Sequence, residues 1–558
     1  MDRVGTRGRG WSSRVAVAGG VLSVVVTVVI GALGPSVVVP PLPGPAWQPP
    51  YSLDARPDGH LVVGLEAAAV LLGALGLAAG LLALRRGWRP DPRRLLLAGC
   101  LAAVALAFLP PSGSADHLNY AAYGRMVTLG HDPYATGAVD LPGDPIADSV
   151  EIPWREEPSV YGPVATAVQA LASLVGGDSV RLTVFVLALF NAAAFVITAL
   201  LLHRHTRGDP ARQARAALLW TANPLLIYQL LAGMHVDTLA VVFVVGALAI
   251  GGRSASDRIA GGRAGSRWVS GALLGLGIAV KANAGLVALG PAWALRRSPK
   301  RLAIVAGSAT VAVLVAYALA GRHSLDQVLH ASKSLSLATP WRLLQHGLQA
   351  VVGTGSAYRG WVQAGSLILL VVLAVALCRA LPRGTSASTP PADELSSSGN
   401  GSREVPLSVA ASCEVSSSKG SATQVGLPDV ASREGASSAV WSSVAGPGQE
   451  REEAARVAVA VVAAWLVATP YALPWYDGLG FALLAMITAT SLDGFMAARL
   501  AVLSLAYVPA RQKLLPDDLQ WLVTVWRGQV VPWLLLALTA ALVWWAVRAG
   551  RRAGTPRA

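Results

Sequence analysis

Asp116 stands in Ser-Ala-Asp-His-Leu-Asn-Tyr (114–120), directly after an apolar run at 95–110. A carboxylate at the rim of a bilayer has given up part of its hydration and has little structural reason to be there. A functional role is its default reading. Three further clusters hold groups that could work with it. Asn223-Pro-Leu-Leu-Ile-Tyr-Gln-Leu-Leu-Ala-Gly-Met-His235-Val-Asp237 sets an imidazole two residues from an acid. A zinc site would need a third ligand, and none is near in the sequence. Val280-Lys281-Ala-Asn283 sets an ammonium at membrane depth, where it needs an anionic partner, either a phosphate or a carboxylate such as Asp237. Thr469-Pro-Tyr-Ala-Leu-Pro-Trp475-Tyr476-Asp477 offers flat aromatic faces between prolines, fit either to stack on a sugar or to anchor a helix end at the interface.

The scaffold that must position these groups is read from composition. Of 558 residues, 54% are hydrophobic and 14% charged, with mean hydropathy +0.52, a balance foreign to a soluble domain. Apolar runs close to the ~20 residues that cross ~30 Å of hydrocarbon recur at 14–33, 61–84, 95–110, 180–202, 216–231, 238–251, 302–320, 362–381, 456–473, 478–491, 495–509 and 529–548, with a broken pair at 269–295. The pattern predicts an all-α polytopic membrane protein with 12–14 transmembrane helices. The net charge of +14 does not point to nucleic acid, because the arginines fall in short loops between spans, such as Arg85 to Arg94, Arg204 to Arg215 and Arg296 to Arg301. The positive-inside rule makes those loops and both termini cytoplasmic. The first run, without a cleavage site, reads as a retained anchor. Residues 111–163 then form the first large extracytoplasmic loop, and its acids outnumber Arg125 and Arg155. Apart from Asp116, those acids read as a solvated face.

The chain divides into an N-terminal transmembrane region at 1–382, a linker at 383–455, a C-terminal transmembrane region at 456–550 and a tail at 551–558. The linker is rich in Ser, Gly, Ala and Thr without apolar period, so it reads as disordered and cytoplasmic. Cys100 and Cys378 lie in apolar runs and Cys413 in the linker, so no disulfide framework is implied. Ser114 as cap and Gly130 as stop predict a short helix over 115–129 lying along the membrane surface. One face of it would carry Asp116, Tyr120, Tyr123 and Val127. Residues 216–250 are only 35 for two crossings, so those helices must be short or broken around a cavity. Residues 268–295 are too few to cross twice, which makes a hairpin with Lys281 near its tip. The loop at 321–361 adds His323, Lys333, Trp341, Arg342 and Tyr358 on the outward side.

Taken in order, Asp116 to Tyr120 with Gly-His-Asp-Pro-Tyr134, Tyr161-Gly-Pro, Asn223-Pro-Leu with Gly-Met-His235-Val-Asp237, Val-Lys281-Ala-Asn283 and Pro-Tyr-Ala-Leu-Pro-Trp475-Tyr476 resemble the actinobacterial GT-C glycosyltransferases. The likeness is greatest to the polyprenol-phosphate-mannose-dependent α-1,6-mannosyltransferases. It runs over most of the membrane region and skips the linker. Where that family reads His-Asn-Asp, this chain has His235-Val-Asp237. The resemblance implies a GT-C-like fold with an outward-facing catalytic loop in the bacterial plasma membrane, and an inverting hexosyltransferase of the cell envelope. Mannose would pass from a polyprenyl-phosphate donor to a hydroxyl of an extracytoplasmic lipoglycan or polysaccharide. Asp116 would be the general base. Lys281, with His235 or Arg342, would hold the donor phosphate. Tyr120, Tyr123, Tyr134, Tyr161, Asp237, Asn283, Trp475 and Tyr476 would line the sugar and acceptor sites. No Asp-x-Asp nucleotide–metal motif occurs, so no divalent metal is expected. Transfer of another sugar, arabinose or glucose, fits the same residues. A lipid-linked-sugar transporter or flippase would instead place ionisable groups at the midplane in symmetry-related broken helices, and a non-catalytic envelope scaffold would not need Asp116.

Overall fold

The computed structural model describes residues 3–152, 154–251, 263–326, 334–353, 358–382 and 447–554, and among them there is no strand. Helices begin where short polar side chains meet the first free backbone N–H groups. Asp58 accepts from His60 and Leu61 to open α1's partner, α2 (Gly59–Arg85), which packs along α1 (Arg3–Leu33). Asp91-Pro92 opens α3 (Pro92–Ala107), Ser179 opens α6 (Val180–His205) and Asp209-Pro210 opens α7 (Pro210–Leu219). Proline in the first turn costs no hydrogen bond there and presets φ. Between α3 and α6 lie α4 (Asp116–Thr128) and α5 (Pro163–Gly176), packed on each other.

Beyond α7, Asn223 caps a single turn at Pro224–Leu226 that widens into a π-helical turn, Ile227–Ala232. Then come α8 (Asp237–Gly251), α9 (Arg263–Val280), a 3-10 stretch (Ala282–Ala288), α10 (Leu289–Ala294), α11 (Pro299–Ala320), α12 (Pro340–Val352) and α13 (Tyr358–Ala380). The chain resumes with α14 (Pro447–Ala468), α15 (Asp477–Met486) and α16 (Leu492–Ala506), and ends in a π-helical run, Leu522–Val530, continuous with α17 (Val531–Gly554). Among the described residues, six helical stretches are long and apolar enough to cross a membrane: Gly10–Leu33, α2, α6, α11, α13 and Asp517–Arg552. The chain is therefore a multi-pass membrane protein. The remaining expected spans are shorter or broken helices, including α8 and Gly265–Val280.

One of the shorter helices lies wholly inside. α15 is buried along its whole length and packs on α7, α8 and α14, while α9 lies between α8 and α11. Buried ion pairs tie distant segments together. Arg215 of α7 reaches Asp493 of α16 at 2.5 Å and donates to the carbonyls of Leu484 and Ile487 at 3.0 and 2.7 Å. Arg499 pairs with Asp477 and donates to Leu466 O. Arg511 grips Glu151 at 2.6 Å and the carbonyls of Ser36 and Val37.

Several expectations change. The helix at Asp116–Thr128 forms almost where the sequence placed it, but it is buried around most of its circumference instead of lying along a surface, and Val127 on the expected face is exposed. The acids of 111–163 are not all solvated, since Glu151 is buried against Arg511. α5 had no counterpart among the expected runs because Thr166, Gln169 and Ser173 interrupt its apolar pattern; all three face inward. The linker expected over 383–455 lies outside the described residues as far as 446, and its last part is already helical, because α14 starts at Pro447. That first turn has no apolar period to betray it. Its acids are matched across space, Glu450 by Arg301 and Glu453 by Arg296, at 2.9 and 3.1 Å. The tail at 551–558 is likewise helical through Gly554, with Arg551 and Arg552 in the last turn, where cations favour the helix dipole.

Breaking one partner of a buried pair leaves an uncompensated charge, worth about 3–5 kcal/mol. Asp493→Ala should therefore lower the thermal unfolding midpoint of the detergent-solubilised protein sharply, and the double variant Arg215→Met/Asp493→Leu should recover most of the loss. Equal midpoints for Asp493→Ala and the unaltered protein would show that the pair stabilises nothing.

Candidate active site

Asp116 opens α4 from a strap, 111–115, that is pinned by backbone bonds on several sides. Ser112 N donates to Ala232 O at 2.8 Å, Gly113 N to Val38 O at 2.8 Å and Arg511 N to Gly113 O at 3.2 Å. Ser114 helps as the sequence suggested, although its hydroxyl accepts from Asp116 N, at 3.0 Å, instead of capping deeper in the turn. The Asp116 side chain is a quarter exposed. Burial pushes its carboxyl pKa up, opposed by the Ser114 hydroxyl, the charge of Lys281 and the Tyr120 hydroxyl.

The second wall is the turn between the π-helical segment and α8. His235 Nδ1 meets Gln229 O at 2.5 Å, and Nε2 faces Asp116 Oδ2 at 3.6 Å. The ring lies flat on Trp475, with centroids 3.7 Å apart and planes at 13°. Burial carries the imidazole pKa down to about 4. The turn that aims this ring is tight. Met234 sits at φ 51°, a strained conformation for a residue with a Cβ. Gly233 is closed in so far that a Cβ there would lie 2.6 Å from Gln229 O and 2.7 Å from the His235 ring.

The third wall comes from the end of α9. Lys281 Nζ bonds both oxygens of Asp237, at 2.7 and 2.8 Å, so the carboxylate open to it from the sequence is the partner it takes here. The ammonium also lies 4.0 Å from the Tyr476 ring centroid and 6.0 Å from that of Tyr161. Tyr161 reaches this point because the next residue has no side chain. Gly162 N bonds Val280 O at 2.9 Å, and a Cβ on Gly162 would stand 2.2 Å from Ala279 O. Tyr161 meets Tyr120 edge to face at 5.1 Å, with the hydroxyls 3.4 Å apart, and Tyr123 borders them while donating to Glu157 O.

Asp116, His235, Asp237, Lys281, Tyr120, Tyr161, Trp475 and Tyr476 thus meet at one place, with Tyr123 beside them. Other expected site residues are not brought in. Arg342 donates to Gln345, one turn along its own helix, at 2.9 Å. Its place in the sequence, in a loop with other cations, said nothing of its direction. Tyr134 turns its hydroxyl to Thr166 on α5, at 2.8 Å. Asn283 is half-buried just past Lys281, and Lys333 lies outside the described residues. Two groups outside the expected site residues support the site. Gln229 contributes through its carbonyl, which no side-chain motif reveals. Glu66, fully buried in α2, accepts from the Tyr228 hydroxyl and braces the π-helical turn from behind. An acid inside the 61–84 run was a readable signal, since such residues are rare and functional.

Comparison with known proteins bears on this constellation. The alpha-(1->6)-mannopyranosyltransferase B of Corynebacterium glutamicum is 31% identical over 168 residues, covering 30% of this chain and 28% of its own. The alpha-(1->6)-mannopyranosyltransferase A of the same organism is 30% identical over 184 residues, 33% of this chain and 35% of its own. The matched segments thus span only about a third of these relatives. Among solved structures, the archaeal oligosaccharyltransferase AglB from Archaeoglobus fulgidus, in complex with an inhibitory peptide and a dolichol-phosphate, aligns over 84% of this chain and 56% of its own, at 13% identity and a TM-score of 0.32. A likeness that loose carries no argument. The family model described as alpha-(1->6)-mannopyranosyltransferase, N-terminal domain, matches residues 17–297, which contain the 111–115 strap, the His235 turn and Lys281. On that match the chain belongs to the alpha-(1->6)-mannopyranosyltransferase family.

Proposed function

We propose that the protein is an inverting glycosyltransferase that moves mannose from a polyprenyl monophosphate to a hydroxyl of a glycan or lipoglycan on the extracytoplasmic side of the plasma membrane. The observation that carries this reading is the meeting of Asp116 with the Lys281–Asp237 pair inside a ring of aromatic side chains. Transfer needs a base on one side of the anomeric carbon and a sink for negative charge on the other, with flat faces to hold the sugar between them. Asp116 takes the proton of the acceptor hydroxyl as its oxygen bonds to the anomeric carbon. The bond from that carbon to the phosphate oxygen breaks from the opposite face, so configuration inverts, and the electron pair leaves with the phosphate. Lys281 stabilises the departing charge while Asp237 keeps the ammonium in place. Tyr120, Tyr161 and Tyr476 give the sugar its walls. The tail of the donor lies among the helices.

Removing a positioned base costs about 10²–10⁴ in rate. Asp116→Asn should therefore lose at least ~100-fold in kcat with mannosyl-phosphopolyprenol and a manno-oligosaccharide. Full activity in that variant would take Asp116 out of the mechanism. Turnover with an arabinosyl or glucosyl donor in place of mannosyl would keep the chemistry and change the sugar. Transbilayer movement of the donor without transfer would favour a flippase.

The base works deprotonated and burial raises its pKa, so activity must fall as pH drops through that raised value. The acid limb of kcat/KM should lie above the ~3.9 of a free aspartate. In this scheme Lys281 supplies the positive charge that other transferases take from a metal. Protein treated with EDTA should keep its rate within about twofold of the untreated protein, a change too small to count as a catalytic loss. A large loss restored by magnesium or manganese would reject the metal-free scheme.

A further inference from the structure

The geometry around His235 decides its chemistry. A carbonyl oxygen can only accept, so the 2.5 Å contact between Nδ1 and Gln229 O requires the proton on Nδ1. The ring is 1% exposed, and its burial together with the nearby ammonium of Lys281 keeps it neutral. Nε2 then carries a lone pair. That atom is buried, has no hydrogen-bond partner, and faces Asp116 Oδ2 at 3.6 Å. A lone pair opposite an ionised carboxylate is unfavourable. The same lone pair opposite a protonated carboxyl is a hydrogen-bond acceptor, and a small approach closes the distance to bonding range.

We infer that His235 is a positioning residue for the base, its Nε2 accepting a hydrogen bond from Asp116 once that carboxyl has taken the proton of the attacking hydroxyl. The inference rests on the proposed role of Asp116 and gives His235 a task other than the phosphate contact expected from the sequence. Proton and electrons balance simply. The hydroxyl proton moves to Asp116, the carboxyl shares it with Nε2 without surrendering it, and it passes to water when the product leaves. The contact is strong only after proton transfer has begun, so it lowers the barrier without tightening the ground state.

The other groups facing this pair do not supply the same contact. Lys281 and Asp237 are charged, but they bond each other. Tyr120, Tyr161, Tyr471 and Tyr476 face Asp116 as neutral hydroxyls. His117, next to Asp116 in the chain, is held neutral by burial, with its pKa down to about 3. The tautomer of His235 is fixed in turn by the strained Met234 and the closed-in Gly233, so the turn serves to present Nε2.

His235→Phe keeps the stack on Trp475 and removes the acceptor. It should cut kcat about 10–100-fold, leave the KM values for donor and acceptor within about threefold, and move the acid limb of kcat/KM down by about one pH unit. Gly233→Ala, which drives the ring away from Gln229 O, should give the same signature and serves if the first variant does not fold. A raised donor KM with an unmoved acid limb in either variant would overturn the inference and return His235 to the phosphate. A readout independent of turnover separates this test from the proposed reaction. In the intact protein with ¹⁵N-labelled histidine, the resonance lost on His235→Gln should report a neutral ring protonated at Nδ1 at pH 7. An imidazolium, or a proton on Nε2, would sink the inference even if mannosyl transfer is observed. The expected tautomer would sustain it even if the donor sugar proves different.

Discussion

The contact between Lys281 and Asp237 governs how the interior closes. An ammonium and a carboxylate taken out of water each lose hydration worth several kcal/mol, and only close, doubly bonded geometry compensates. The pair has that geometry, with both carboxylate oxygens engaged and the Tyr476 ring against the ammonium. Because Asp237 begins α8 and Lys281 follows α9, the bond fixes the facing ends of two helices whose ladders stop there. The Tyr161–Gly162 docking onto Val280 depends on that end, and through Tyr161 so does the stack of tyrosines beside Asp116. Release of the pair would loosen the Lys281 end of α9 and the tyrosines docked beside it.

Much of this was legible because local chemistry and chain length both constrain a membrane chain. A cap at Ser114 and a stop at Gly130 marked α4 to within a residue or two. Thirty-five residues for two crossings forced broken helices at 216–250, and the structure breaks them with a capping asparagine, a proline and a π-helical turn. Aromatics between prolines at 470–476 marked a segment that cannot be regular helix, and it carries Trp475 and Tyr476 to the histidine and the lysine.

What stayed hidden depends on partners far away in the chain. Arg215 and Asp493 are separated by 278 residues, and Arg511 and Glu151 by 360. Read locally, each was a loop charge or a polar interruption. The first turn of α14 reads as linker, because acids without apolar period signal disorder unless matching arginines wait across space. Arg342 failed for the reverse reason, since proximity in a cationic loop says nothing about direction. The role of Gln229 rests on its carbonyl, and side-chain identity cannot announce that.

Glu66 has a consequence for biogenesis. An ionisable side chain in an isolated spanning helix adds about 2.5–3.5 kcal/mol to its entry into lipid. The hydroxyl that receives this acid belongs to Tyr228, 162 residues later in the chain. While the ribosome is still making the intervening segments, α2 has no such companion. The early helices therefore lack this bond until the turn that presents His235 has been made.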